Sequence, residues 1–117
     1  VPLSKETVDL ISVNELGMMK SSAILINASR GGVVNESALA EALETNSIRG
    51  AATDVFSQEP PTQNNPLLNL SDITAQKVFL TPHIAGITTQ AWTDLFIKSW
   101  QNIQNYFEGK EVVNRKL

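Results

Sequence analysis

Three short apolar runs set most of what this chain can become: Ala23-Ile24-Leu25-Ile26-Asn27, Ala51 to Phe56, and Val78 to Thr81. Each is too short for a buried helix and rich in aliphatic or β-branched residues. The first two read as buried strands, the first covered on both faces, and the third as a strand ended by Pro82, which has no amide to donate to a ladder. Between them the hydrophobic period changes. Ser12-Val13-Asn14-Glu15 has the spacing of a capping box, which predicts a short helix through Met18, Met19 or Lys20. Asn35 can cap a second helix, where Ala38, Leu39, Ala42 and Leu43 recur at spacings of three and four, a narrow stripe suited to a sheet. Ser57 to Gln76, with Pro60, Pro61 and Pro66, reads as loop with one helical turn at Leu67-Leu68. A long helix is predicted from Thr89 to Phe107, stopped by Gly109. Its Ala91, Trp92, Leu95, Phe96, Ile103 and Phe107 share one side, expected to be core or an interface.

The order αβαβ-loop-βα calls for an α/β fold with a parallel sheet and right-handed crossovers. Three strands make a thin sheet whose first and third members each present an unpaired edge unless other residues cover them.

Composition narrows the function. In 117 residues, 42% are hydrophobic and the net charge is −3. So mild an acidity makes no case for nucleic acid or anionic membranes, which favour basic patches. With no cysteine and one histidine, neither a disulfide frame, nor a thiolate site, nor a His-rich metal site can form. No apolar stretch approaches the roughly 20 residues that span a bilayer, and no signal-peptide pattern opens the chain, so a cytoplasmic location is expected. The chain opens on Val1-Pro2-Leu3 without methionine and is expected to be part of a longer protein.

Ligands of open parallel sheets bind outside the carboxyl ends of the strands. Arg30 follows the first strand, Asp54 and Glu59 lie at and after the second, and His83 follows the third, so topology gathers them at one edge. Each has a plainer reading. Arg30 can be a surface residue or loop clamp, Glu59 a solvated carboxylate before Pro60, His83 a structural imidazole, and Asp54 a cap for loop amides. Their joint placement favours a site. Gly31-Gly32 gives a tight turn before a helix, but the chain holds no G-x-G-x-x-G and no G-K-[ST], the phosphate-cradling fingerprints.

The run from Met19 to Asn35, Met-Lys-Ser-Ser-Ala-Ile-Leu-Ile-Asn-Ala-Ser-Arg-Gly-Gly-Val-Val-Asn, closely resembles the signature of the D-isomer-specific 2-hydroxyacid dehydrogenases. Val1-Pro2-Leu3-Ser4 with Thr7, Gly50 to Phe56 with Glu59-Pro60, and Thr81-Pro82-His83-Ile84-Ala85 continue the match in the family's order. The resemblance covers nearly the whole chain. It implies the C-terminal half of a Rossmann-type, doubly wound NAD-binding domain over residues 1–108, with 109–117 returning toward a substrate domain.

By the same resemblance Arg30 binds the substrate carboxylate and helps polarise the keto group. His83 is the general acid for reduction and base for oxidation, and Glu59 holds its imidazole and favours the protonated form. Asp54 matches the aspartate that contacts the nicotinamide amide. Val1, Ala28, Ser29, Arg30, His83, Ala85 and Gly86 match cofactor-lining positions. Implied with these are NAD (or NADP) as cofactor, a small 2-keto or 2-hydroxy acid as substrate, no metal, no nucleic acid or membrane partner, and a homodimer through the NAD domain.

Ser29, Thr53 and Asn35 stand where Ala, Leu and Asp are common, and none of these removes a catalytic group. The glycine loop, the ribose-reading acid and most of the substrate domain fall outside the match, so the 117 residues alone are expected to be inactive. Two other roles remain open: a non-catalytic protein of the corepressor kind found in this family, which can keep all three catalytic residues, and a dimerisation or folding unit.

Overall fold

The computed structural model describes residues 1–114 and divides into two compact units, Val1–Ile84 and the residues from Ala85 onward. In the first unit the elements are α1 (Val13–Gly17), β1 (Ile24–Asn27), α2 (Glu36–Glu44), β2 (Gly50–Thr53), a 3-10 turn (Pro66–Leu68), α3 (Asp72–Ala75) and β3 (Val78–Leu80). The strands form one parallel sheet in the order β1-β2-β3, with Ile24 opposite Gly50 and Ala51 opposite Val78. Both outer strands are edges, as the three-strand reading requires.

Local chemistry explains the helix ends. Glu15 accepts from the Ser12 amide at 3.0 Å, and α1 stops at Gly17. Asn35 caps α2 by accepting from the Ala38 amide at 2.9 Å, which occupies one of the amides a helix start leaves unpaired. The predicted stripe of Ala38, Leu39, Ala42 and Leu43 is buried in full, Leu43 at 0% exposure. It packs with Leu16, Leu25, Ile48, Ala51, Phe56 and Leu67 in one core on one side of the sheet. Small Ala51 lets α2 approach the strands closely.

Three expectations need correction. The strands are shorter than their apolar runs. β2 ends at Thr53 rather than Phe56: Asp54, although its amide still donates to Asn27 O at 2.9 Å, directs its carboxylate to Thr81 and Ile84, past the carboxyl end of β3. Val55 and Phe56 are buried without belonging to the ladder. Second, β1 is covered on one face only: Leu25 is 8% exposed, whereas its neighbours Ile24 and Ile26 are 58% and 74% exposed. Phe79 of β3 shares that bare face and is also exposed. Third, the Ser57–Gln76 stretch holds α3 besides the 3-10 turn. Its start is capped from a distance by Glu44, which accepts from Ser71 N at 2.6 Å, Ser71 Oγ at 2.8 Å and Thr74 Oγ1 at 2.8 Å.

The second unit is built on α4 (Thr89–Phe107), whose limits match those predicted. Thr88 caps it through the Ala91 amide, and Asn102 holds the following chain by its bonds to Val113 N and O. Trp92 and Phe96 stack at 5.7 Å, yet no residue of α4 is buried. Among the described residues, that side is therefore not core. Residues 115–117 of the predicted C-terminal segment lie outside the described residues. No helix among the described residues is long and apolar enough to cross a membrane.

Candidate active site

The carboxyl ends of the strands carry the predicted residues on three successive loops. On the first, Asn27 is buried and its Oδ1 accepts from Ser29 N at 3.2 Å and Ser29 Oγ at 2.9 Å, which folds the chain sharply after β1. Ala28 and Arg30 are thereby turned outward and exposed, and Arg30 Nη1 donates to the Ser29 carbonyl at 2.6 Å. Gly31 then lies against the second loop. A Cβ there would stand 1.7 Å from the Phe56 carbonyl oxygen, so only glycine permits this approach.

On the second loop Asp54 is 6% exposed. Its Oδ1 accepts from Thr81 Oγ1 at 2.6 Å and from the Ile84 amide at 2.8 Å. Those bonds bracket His83, whose φ of 58° lies in the left-handed region, uncommon for residues other than glycine but entered by histidine more readily than by most. Asp54 thus accepts from one hydroxyl and one loop amide of the segment that carries His83.

Glu59 meets His83 directly: Oε2 lies 2.7 Å from Nδ1 while Oε1 accepts from the Phe56 amide at 3.0 Å. The Glu59 carboxyl is held below its ordinary 4.5, first by the hydrogen bond from His83 and then by the Phe56 amide. Both side chains remain partly open to solvent, 38% exposed for Glu59 and 47% for His83. Beside the pair lies a small apolar hollow walled by Phe56, Pro60, Pro61 and Pro82.

The depressed carboxyl fixes the sign of a pH effect. A carboxylate whose folded pKa lies below its unfolded value stabilises the fold above the ordinary range and loses that contribution as pH falls through the folded value. Urea midpoints measured above and below pH 4.5 should therefore fall on acidification, and fall less in Glu59→Gln. Equal slopes would show that the pair has no part in folding.

Of the predicted residues, the structure brings Glu59 and His83 into contact and ties Asp54 to the segment carrying His83. Arg30 sits on the neighbouring loop with no bond to either. Val1 is exposed at the chain start, and Ala85 and Gly86 open the second unit. Missed from the sequence were Gly31 as the point of close approach, Thr81 as a partner of Asp54, and Glu36, which bonds Ser57 and Asn65. The first two had a signal: a glycine directly after Arg30, and a hydroxyl at the end of β3.

The profile of the D-isomer specific 2-hydroxyacid dehydrogenase NAD binding domain matches residues 1–85. D-3-phosphoglycerate dehydrogenase of Archaeoglobus fulgidus is 40% identical over 114 residues, 97% of this chain and 21% of its own length. Glycerate dehydrogenase of Methylorubrum extorquens is 40% identical over 110 residues, 94% of this chain and 34% of its own. Among solved structures, the D-isomer specific 2-hydroxyacid dehydrogenase of Xanthobacter autotrophicus Py2 in complex with NADPH and MES superposes with a TM-score of 0.82 at 32% identity, covering 100% of this chain and 46% of that one. D-lactate dehydrogenase with NAD+ from Lactobacillus jensenii gives a TM-score of 0.79 at 29% identity, covering 97% and 36%. The chain thus spans about a fifth to a third of these curated relatives. With the parallel sheet and the matched profile in agreement, the chain belongs to the D-isomer specific 2-hydroxyacid dehydrogenases, a family of oxidoreductases, and its residues 1–85 match their NAD-binding domain.

Proposed function

We propose that these residues form part of the site of an enzyme that interconverts 2-keto acids and D-2-hydroxy acids, with His83 as acid/base, Glu59 as its partner and Arg30 as the carboxylate anchor. The observation that carries this reading is the 2.7 Å contact between Glu59 Oε2 and His83 Nδ1 at the carboxyl edge of a parallel sheet. With Nδ1 engaged, Nε2 is the ring nitrogen left to hand a proton to a keto oxygen, or to take one from a hydroxyl. Glu59 orients the ring and places negative charge opposite the imidazolium. Arg30 suits a planar carboxylate through two parallel N–H bonds.

The family's cofactor fits one end of this site. Buried Asp54 and the backbone around Ala28 and Ser29 offer acceptors and donors for a nicotinamide amide. Ala85, Gly86 and Val1 join the proposed cofactor contacts through the family match alone. When bound, NAD(H) supplies the hydride. The pyrophosphate end requires a glycine fingerprint that the 117 residues do not contain. NAD is therefore the proposed cofactor of the whole protein, with NADP equally compatible. Residues 1–108 are read as its NAD-domain portion and 109–117 as the return to a substrate domain. A cytoplasmic homodimer paired through this domain belongs to the same reading.

The test is oxidation of NADH by the whole protein against a panel of 2-keto acids. Turnover with at least one supports the reading, and none with any member would favour a binding role of the corepressor kind. The 117 residues alone should show no NAD affinity by titration calorimetry, and micromolar binding would overturn that expectation.

A further inference from the structure

Glu36, in the first turn of α2, uses both carboxylate oxygens on one loop. Oε1 accepts from Ser57 N at 2.6 Å, while Oε2 accepts from Ser57 Oγ at 2.9 Å and from Asn65 Nδ2 at 2.8 Å. Ser57 and Asn65 are the two ends of the segment that carries Glu59. Its other anchors act nearer the middle or at one end: Glu59 meets His83, and Asn69 Nδ2 donates to Gln63 O at 2.7 Å and Asn65 O at 2.8 Å, while Ser57 to Pro60 and Thr62 to Asn64 are exposed and Asn65 is buried. The buried Asn65 in turn caps the 3-10 turn by accepting from Leu67 N at 2.9 Å. An exposed loop without apolar packing takes its conformation from its polar anchors, and here one carboxylate binds both ends.

The connection to the ion pair is short. Ser57 N, the amide Glu36 holds, belongs to the peptide whose carbonyl is Phe56 O, the oxygen that Gly31 approaches. The Phe56 amide, one residue earlier, donates to Glu59 Oε1 at 3.0 Å. Ser57 is thus joined directly to the residue whose amide orients the Glu59 carboxylate, the carboxylate whose other oxygen faces His83. Charge-assisted hydrogen bonds to an ionised carboxylate are short and strong enough to act as such an anchor.

We infer that Glu36 is a positioning residue for the Glu59–His83 pair, acting through Ser57 and Asn65 rather than by touching either partner. Its catalytic meaning rests on the oxidoreductase reading, but the geometry does not. His83 is the sole histidine of these 117 residues, so in this chain the ring nitrogens report the pair, and in the whole protein the His83 signals are assigned by their loss in His83→Asn.

The experiment compares the 15N and 13C ring signals of His83 in the wild type, Glu59→Ala, Glu36→Ala and Glu36→Gln, at a pH where the wild-type ring is bonded to Glu59. Glu36→Ala should carry the ring signals most of the way to those of Glu59→Ala, and the double variant should match Glu59→Ala alone, since residues acting through one contact are non-additive. Glu36→Gln keeps an acceptor for Ser57 N and loses the anionic one, so it should fall between. Wild-type ring signals in a folded Glu36→Ala protein would overturn the inference. If Glu36→Ala does not fold, Glu36→Gln is read in its place, and unshifted signals there overturn it equally. Failure of the whole protein to reduce any 2-keto acid would sink the functional reading and leave this result standing.

Discussion

Replacing His83 by asparagine is expected to lower 2-keto acid reduction by the whole protein by about 10²–10⁴-fold, the usual worth of a positioned acid–base group. Asparagine is the appropriate replacement because of the backbone. At a φ of 58° most residues are strained, whereas asparagine tolerates the left-handed region well. The turn bracketed by Asp54 through Thr81 and Ile84 should survive, leaving the missing proton carrier as the main change. A loss confined to kcat, with KM for the keto acid little altered, would identify the step as one made in the transition state. Unchanged turnover would remove His83 from the mechanism. Glu59→Gln should cost less, since the imidazole remains and only its orientation and facing charge are lost.

Gly31→Ala should destabilise the chain by about 3 kcal/mol, at the upper end of the usual overpacking range. The new Cβ would stand 1.7 Å from Phe56 O, 2.1 Å from its carbonyl carbon and 2.7 Å from Ser57 N, all of them backbone atoms that cannot swing aside. One of the two loops must move. Because Phe56 and Ser57 also hold Glu59 and Glu36, the displacement would reach the ion pair as well as the fold. Gly17 supplies the control: it closes α1 with nothing within 4 Å of its would-be Cβ, so Gly17→Ala should be neutral or slightly stabilising. Urea denaturation of both variants checks the contrast, and equal midpoints would refute the steric argument.

The features legible in the sequence are local or periodic. The Asn35 cap, the α2 stripe, both limits of α4 and the parallel order of the strands rest on spacings of a few residues. So does the gathering of Asp54, Glu59 and His83, because parallel strands deliver the residues after them to one edge. The features that escape depend on distant partners. α3 is too short to announce itself by period and is capped by Glu44, far earlier in the chain. Glu36 reads as one more exposed acid on a helix, since its partners Ser57 and Asn65 lie 21 and 29 residues away. The apolar run of β1 shows that either face is able to be buried, not which one is. Arg30 is the instructive middle case: topology puts its loop at the right edge, but no spacing announces the bond it makes to its own Ser29 carbonyl.

The one-sided sheet makes this chain a comparator for mutational scanning. Alanine substitutions along β1 in the isolated 117 residues should alternate in effect: costly at Leu25, where the side chain enters the core, and within about 0.5 kcal/mol at exposed Ile24 and Ile26. Repeating the scan in the whole protein turns that alternation into a detector. Any position of Ile24, Ile26 or Phe79 that changes from silent to costly marks where other residues come to rest, so a packing partner can be located from stability data alone.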